Sequence, residues 1–157
     1  MSERKILIIL ILVFAAFVFV ILGSAARGED LYVLCKPGSV VNVRSGPGKD
    51  SAVLAWVECG QLVETDRTEN GFAHVVGLAS EEPEGWIYAG YLVDDEPRIE
   101  TYTAEVWEGP VISRKSVNGR QKCVLADGKT VTVYARTHVW AITSRGYVMC
   151  DWLREVD

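Results

Sequence analysis

Cys35, Cys59, Cys123 and Cys150, with His74 and His138, are the side chains of this 157-residue chain best suited to covalent or metal chemistry. Neither the spacing of the thiols nor that of the imidazoles builds a reactive set. There is no C-x-x-C pair, and the histidines do not fall at ligand spacing from the cysteines, so zinc is not indicated. Nor does the chain carry a Gly-x-Ser-x-Gly elbow, a His-Glu-x-x-His helix, a P-loop or a dinucleotide-binding glycine pattern. No catalytic residue, metal or cofactor is expected. His74 in a strand and His138 beside a turn read as structural or solvated groups. The run Glu81-Glu82-Pro83-Glu84 reads as a solvated loop with at most weak cation affinity. The remaining chemistry of the thiols is oxidation. Two cysteines lie in each half, and the simplest pairing is within halves, Cys35 with Cys59 and Cys123 with Cys150, against the alternative of four free thiols. Each bridge would close a loop of about 25 residues and stabilise by roughly 3 kcal/mol.

The elements that carry these residues are strands, and the fold class is mainly β. Ala52 to Val57 is an apolar run and Gln61 to Thr65 alternates. Asn70-Gly71 is a tight hairpin signal directly before Phe72-Ala73-His74-Val75. After an acidic break at Asp94-Asp95-Glu96-Pro97 the pattern starts again at Thr101 to Trp107, and Thr130 to Tyr134 is β-branched and alternating. Gly85-Trp86-Ile87-Tyr88-Ala89-Gly90-Tyr91-Leu92 aligns without a gap to Gly146-Tyr147-Val148-Met149-Cys150-Asp151-Trp152-Leu153, and Phe72-Ala73 to Trp140-Ala141. The chain therefore reads as two tandem units, 30–95 and 100–157, the first with an insertion from Gly77 to Glu84.

Charge separates the units. The chain carries a formal −5, but Arg27 to Pro97 holds −8 and Arg98 to Asp157 holds +2. Arg114, Lys115, Arg120 and Lys122 cluster near the first turn of the second unit, where they suit an anionic envelope polymer or lipid head groups, or simply solvate a hairpin edge. Ahead of both units Ile6 to Leu22 is an unbroken apolar run of 17 residues preceded by Arg4 and Lys5. An uncharged helix over 6–26 would reach roughly 30 Å, the thickness of a hydrocarbon core. Segment 1–26 is thus expected to be a signal anchor in the bilayer or a signal peptide cut near Ala25 or Ala26. Either way the positive-inside rule places the two units outside the membrane. Export and an acidic total argue against nucleic acid.

Val41-Asn42-Val43-Arg44-Ser45-Gly46-Pro47-Gly48, Gly60 ahead of a valine strand, and Gly85 to Leu92 together resemble the bacterial SH3 family. The second unit resembles it less: the Arg-Ser-Gly-Pro turn is replaced by Arg114-Lys115-Ser116-Val117, and the likeness rests on the closing Gly-Tyr-Val-x-x-x-Trp-Leu. The resemblance implies two small SH3-like β-barrels and a non-catalytic binding module for cell-wall peptide or another envelope ligand. A structural or assembly role against another envelope protein is the alternative. It also implies a shallow groove lined by aromatic rings, with Tyr88, Tyr91, Trp86 and Trp56 as candidates. Arg44 either faces that ligand or braces its own turn through backbone carbonyls.

Overall fold

A computed structural model of the chain describes residues 28–78 and 84–156. The expected anchor or signal segment, 1–26, lies outside the described residues, as does most of the insertion before Gly85. Among the described residues no helix is long and apolar enough to cross a membrane.

The first unit is built from β1 (Glu29–Val33), β2 (Val40–Arg44), β3 (Val53–Glu58), β4 (Leu62–Glu69), β5 (Phe72–Leu78), β6 (Gly85–Tyr88) and β7 (Leu92–Val93). The second comprises β8 (Tyr102–Val106), β9 (Val111–Arg114), β10 (Gln121–Leu125), β11 (Thr130–Arg136), β12 (Trp140–Thr143), β13 (Gly146–Met149) and β14 (Leu153–Glu155). A single 3-10 turn separates the last two strands of each unit, at Ala89–Tyr91 and Cys150–Trp152. The sheets are ordered β3-β2-β6-β5-β4-β1-β7 and β10-β9-β13-β12-β11-β8-β14, the same path displaced by seven strands.

Period-2 alternation decides which side chains enter each core. In β2, Val41 and Val43 point inward while Val40 and Asn42 stay exposed, and in β11 Val131 and Val133 do the same against Thr130 and Thr132. Val41, Val43, Val57, Val63, Val75 and Ile87 come from five different strands yet share one buried cluster, so the first sheet curls around its own core. Ala104, Val106, Val131, Val133 and Val148 do the same in the second. The hairpin expected at Asn70-Gly71 joins β4 to β5, with both residues at positive φ as a two-residue loop of this kind requires.

A third cluster joins the units. Leu34 and Val93 of the first pack with Ala135, Trp140, Ile142 and Tyr147 of the second. The Tyr147 hydroxyl donates to the Leu34 carbonyl at 2.7 Å, and burial raises the hydroxyl's pKa, so it stays a donor at any ordinary pH. Lys36 places its Nζ 4.7 Å from the Tyr134 ring centroid across the same boundary. The acidic break also docks: Arg98 and Arg136 exchange both backbone hydrogen bonds, at 2.7 and 2.9 Å.

The expected disulfides are corrected, since all four cysteines are free thiols. Cys59 Sγ lies 2.8 Å from the Cys35 carbonyl oxygen, whereas Cys123 and Cys150 turn to different carbonyls, those of Arg145 and Thr137. Each sulfur has a main-chain carbonyl as partner, and the Cys35 and Cys59 thiols are hydrogen-bonded to each other rather than bridged. The Cys35 thiol, donating toward Cys59, holds Cys59 below the ordinary thiol value, although burial acts the other way. Burial pushes Cys150 up to about 11. Because the thiolate is the nucleophile, iodoacetamide at pH 7.5 is expected to label Cys59 before Cys150, and Cys35→Ala should slow Cys59 several-fold. Peptide mass spectrometry over a labelling time course measures both; earlier labelling of Cys150 would contradict the assignment.

Candidate functional site

The closing segment of the first unit positions its aromatics. In β6, Ile87 enters the core, while Trp86 and Tyr88 project to the outer face opposite His74 and Phe72 of β5. The 3-10 turn then swings Tyr91 back toward Tyr88, and the two rings meet edge to face at 5.7 Å, with Phe72 and Tyr88 at 5.6 Å. Phe72, Tyr88 and Tyr91 thereby form one aromatic wall.

The opposite wall comes from the second unit. Its hairpin between β9 and β10 reaches over the first unit's 3-10 turn, and the Val117 amide donates to the Gly90 carbonyl at 2.9 Å. That approach requires glycine at position 90. A Cβ there would lie 2.5 Å from Tyr88 Cε1, 2.7 Å from Ser116 Oγ and 2.9 Å from Ser116 Cβ, too close for both the Tyr88 ring and the docked hairpin to stay in place. The replacement of Arg-Ser-Gly-Pro by Arg114-Lys115-Ser116-Val117 thus has a structural counterpart: the diverged turn is the one that docks.

Between the walls runs a cleft of about 690 Å³, lined by Val40, Val41, Asn42, Arg44 and Lys49, by Phe72, Tyr88 and Tyr91, and by Lys115, Ser116 and Arg120. The size lies within the range of small-ligand sites. Four cations line it and, among the described residues, no carboxylate does. Arg44 and Lys49 come from the acidic first unit, Lys115 and Arg120 from the second.

The candidates from sequence are distributed unevenly. Tyr88, Tyr91, Arg44, Lys115 and Arg120 lie together in the cleft. Trp86 does not: it is 8 % exposed, packed against His74 at 4.8 Å with the Arg67 guanidinium 5.1 Å from its centroid. The expected groove role for Trp86 is therefore corrected, because its outer face is covered by side chains of β4 and β5. Trp56 is 65 % exposed and stands opposite Asn42 in the β2–β3 register, so it flanks the cleft rather than lining it. Arg44 donates from Nη1 to the Ser51 carbonyl at 2.8 Å, and Arg114 from Nη1 to the Gly119 carbonyl at 2.9 Å. Both arginines brace their own turns, and Arg44 borders the cleft as well. Lys122 is exposed outside the cleft lining.

Asn42, Lys49, Phe72 and Ser116 line the cleft although the sequence does not mark them as ligand-binding residues, Asn42 being part of the Val41 to Gly48 motif only as strand. Phe72 has a signal in its alignment with Trp140; the other three join the site only through tertiary packing. His74 Nδ1 is 2.8 Å from Asp66 Oδ1 and His138 Nδ1 2.5 Å from Asp95 Oδ2. Among the described residues no three His, Cys, Asp or Glu side chains converge as a metal site would need.

The family model described as bacterial SH3 domain matches residues 39–93. No curated protein matches the chain. Among solved structures the chain is similar to NlpC1 from Trichomonas vaginalis, at 20 % identity and TM-score 0.36, over 83 % of this chain and 47 % of that one. It is also similar to NlpC2 from the same organism, at 21 % identity and TM-score 0.36, over 83 % and 49 %. The chain spans about half the length of each of these two proteins. From β2 to β7 the matched sequence wraps a single core, and over these residues the first barrel is similar to the bacterial SH3 domain family.

Proposed function

We propose that the chain is a non-catalytic binding module for cell-wall peptide, displayed outside the membrane by the segment 1–26 as an anchor or released after its cleavage. The observation that carries this reading is the cleft between the barrels. Tyr88 and Tyr91, both half-buried, form with the buried Phe72 behind them an aromatic wall, and polar side chains line the same cleft of about 690 Å³. Peptide grooves of this class combine apolar rings, which bury area at little entropic cost, with a few polar groups that fix orientation. Bacterial SH3 domains are binding modules often directed at the cell wall, which supports the same ligand class.

The full chain in detergent micelles, mixed with purified peptidoglycan and centrifuged, is expected to pellet with the wall. Tyr88→Ala should release most of it, because Tyr88 contacts both other rings of the wall and is only half-buried. Failure of the chain to pellet with peptidoglycan of every stem-peptide type tried would overturn the reading.

A further inference from the structure

The cleft's charge is unexplained by a neutral peptide. Arg44, Lys49, Lys115 and Arg120 converge on it, and among the described residues none of the four is in an ion pair; the salt bridges present are all elsewhere, at Asp66, Glu100 and Asp95. Arg44 and Lys49 are two of the few cations on a unit whose formal charge is −8, so their placement facing two more cations across a domain boundary runs against the surrounding charge. Like charges gathered in a concave, partly apolar site repel one another and raise the local potential, which an anionic ligand relieves. Arginine also presents a planar fork matched to carboxylate oxygens, and one Arg44 nitrogen is already tethered to Ser51, which holds the guanidinium at the cleft edge.

We infer that the cleft is a composite carboxylate-reading site: the two barrels together bind the free carboxylates of an acidic wall peptide, and converting those carboxylates to amides releases it. This deepens the reading above and rests on it. A peptide is favoured over a phosphate polymer by the lining itself. Tyr88, Tyr91 and Val40 supply an apolar flank for peptide C–H surface, with the buried Phe72 and Val41 behind it, and the volume suits a few residues rather than a long chain. The site is composite because neither barrel alone supplies more than two of the four cations, and the Val117 to Gly90 hydrogen bond sets the spacing between the pairs.

The test uses two synthetic stem peptides of one sequence, one with free carboxylates and one with every carboxylate amidated, titrated against the full chain in detergent by calorimetry. The free form is expected to bind at least about tenfold tighter, with the difference shrinking in about 0.5 M salt as ionic contacts are screened. Lys115→Glu combined with Arg120→Glu should abolish the difference; both side chains are exposed, and an unchanged thermal melt confirms the fold. Equal affinity for the two peptides, or a difference untouched by the double charge reversal, overturns the inference. So does tighter binding of a glycerol-phosphate polymer than of the free-carboxylate peptide. If intact peptidoglycan still pellets the chain in any of those cases, only the carboxylate site falls. If nothing pellets it and neither peptide binds, the wall-binding reading falls with it.

Discussion

Gly146→Val is expected to unfold the second barrel while leaving the first folded. Gly146 opens β13 where that strand crosses β9, with φ at +119°, a region that L side chains rarely adopt. A Cβ at this position would overlap the Arg114 carbonyl oxygen and come within 2.8 Å of Ser113 Oγ and 3.0 Å of Lys122 Cδ. Lys122 can move, but the other two cannot. Arg114 O is main chain in the sheet, and Ser113 is fully buried with its hydroxyl donating to the Arg145 carbonyl at 2.6 Å. Overpacking of this kind costs about 1–3 kcal/mol and the backbone conformation about 1–3 more. A core of some sixty residues supplies only about 3–5 kcal/mol in all. Hydrogen exchange read by mass spectrometry should then show lost protection across β8 to β14 and retained protection across β1 to β6. Loss spread evenly over both barrels, or none, would contradict this account.

The importance of Gly146 is legible in the sequence, because its octapeptide aligns with the one beginning at Gly85. The fold gives that alignment a physical basis. Gly85 sits at the equivalent crossing of β6 on β2, where a Cβ would meet Val43 and the Arg44 carbonyl oxygen, and the two 3-10 turns fall at matching places. The pairing of Phe72-Ala73 with Trp140-Ala141 holds in register too: Phe72 stands opposite Tyr88 and Trp140 opposite Met149. Strands, hairpin and repeat are legible because period-2 alternation and turn chemistry are local.

The cleft is only half legible, for the converse reason. Tyr88, Tyr91 and Arg44 announce themselves by type and motif, and Lys115 and Arg120 by charge, but as two separate surfaces. What joins them is the docking of the 114–119 hairpin on Gly90, a contact between segments more than twenty residues apart with no pattern in either. Trp86 misleads because alternation assigns a face, not its exposure: it shares the outer face with Tyr88, yet Arg67 and His74 cover it. The cysteine spacing is compatible with bridges, and spacing alone says nothing of where the sulfurs point.

Trp140→Ala should be among the most damaging single truncations in the chain, and its effect reaches the cleft. Trp140 is 7 % exposed and belongs to the cluster that fastens Leu34 and Val93 of the first barrel to Ala135, Ile142 and Tyr147 of the second. Its main chain is held by Thr137, whose amide donates to the Trp140 carbonyl at 2.8 Å and whose hydroxyl accepts from the Trp140 amide at 3.0 Å, so the strand cannot shift to fill the gap. Removing a buried indole from such a site costs about 3–5 kcal/mol, or roughly 6–20 °C in melting temperature for a chain of this length. Trp56→Ala, on an exposed edge, should change stability by less than about 0.5 kcal/mol. The contrast bears on mechanism because Trp140 is not among the residues lining the cleft, yet the cluster it anchors sets how the second barrel's hairpin meets Gly90. If the barrels act as one body, Trp140→Ala also weakens wall pelleting at temperatures well below its melt, while Trp56→Ala leaves the melt in place. A Trp140→Ala protein that melts like the parent would mean that the shared cluster contributes little to the stability of the second barrel.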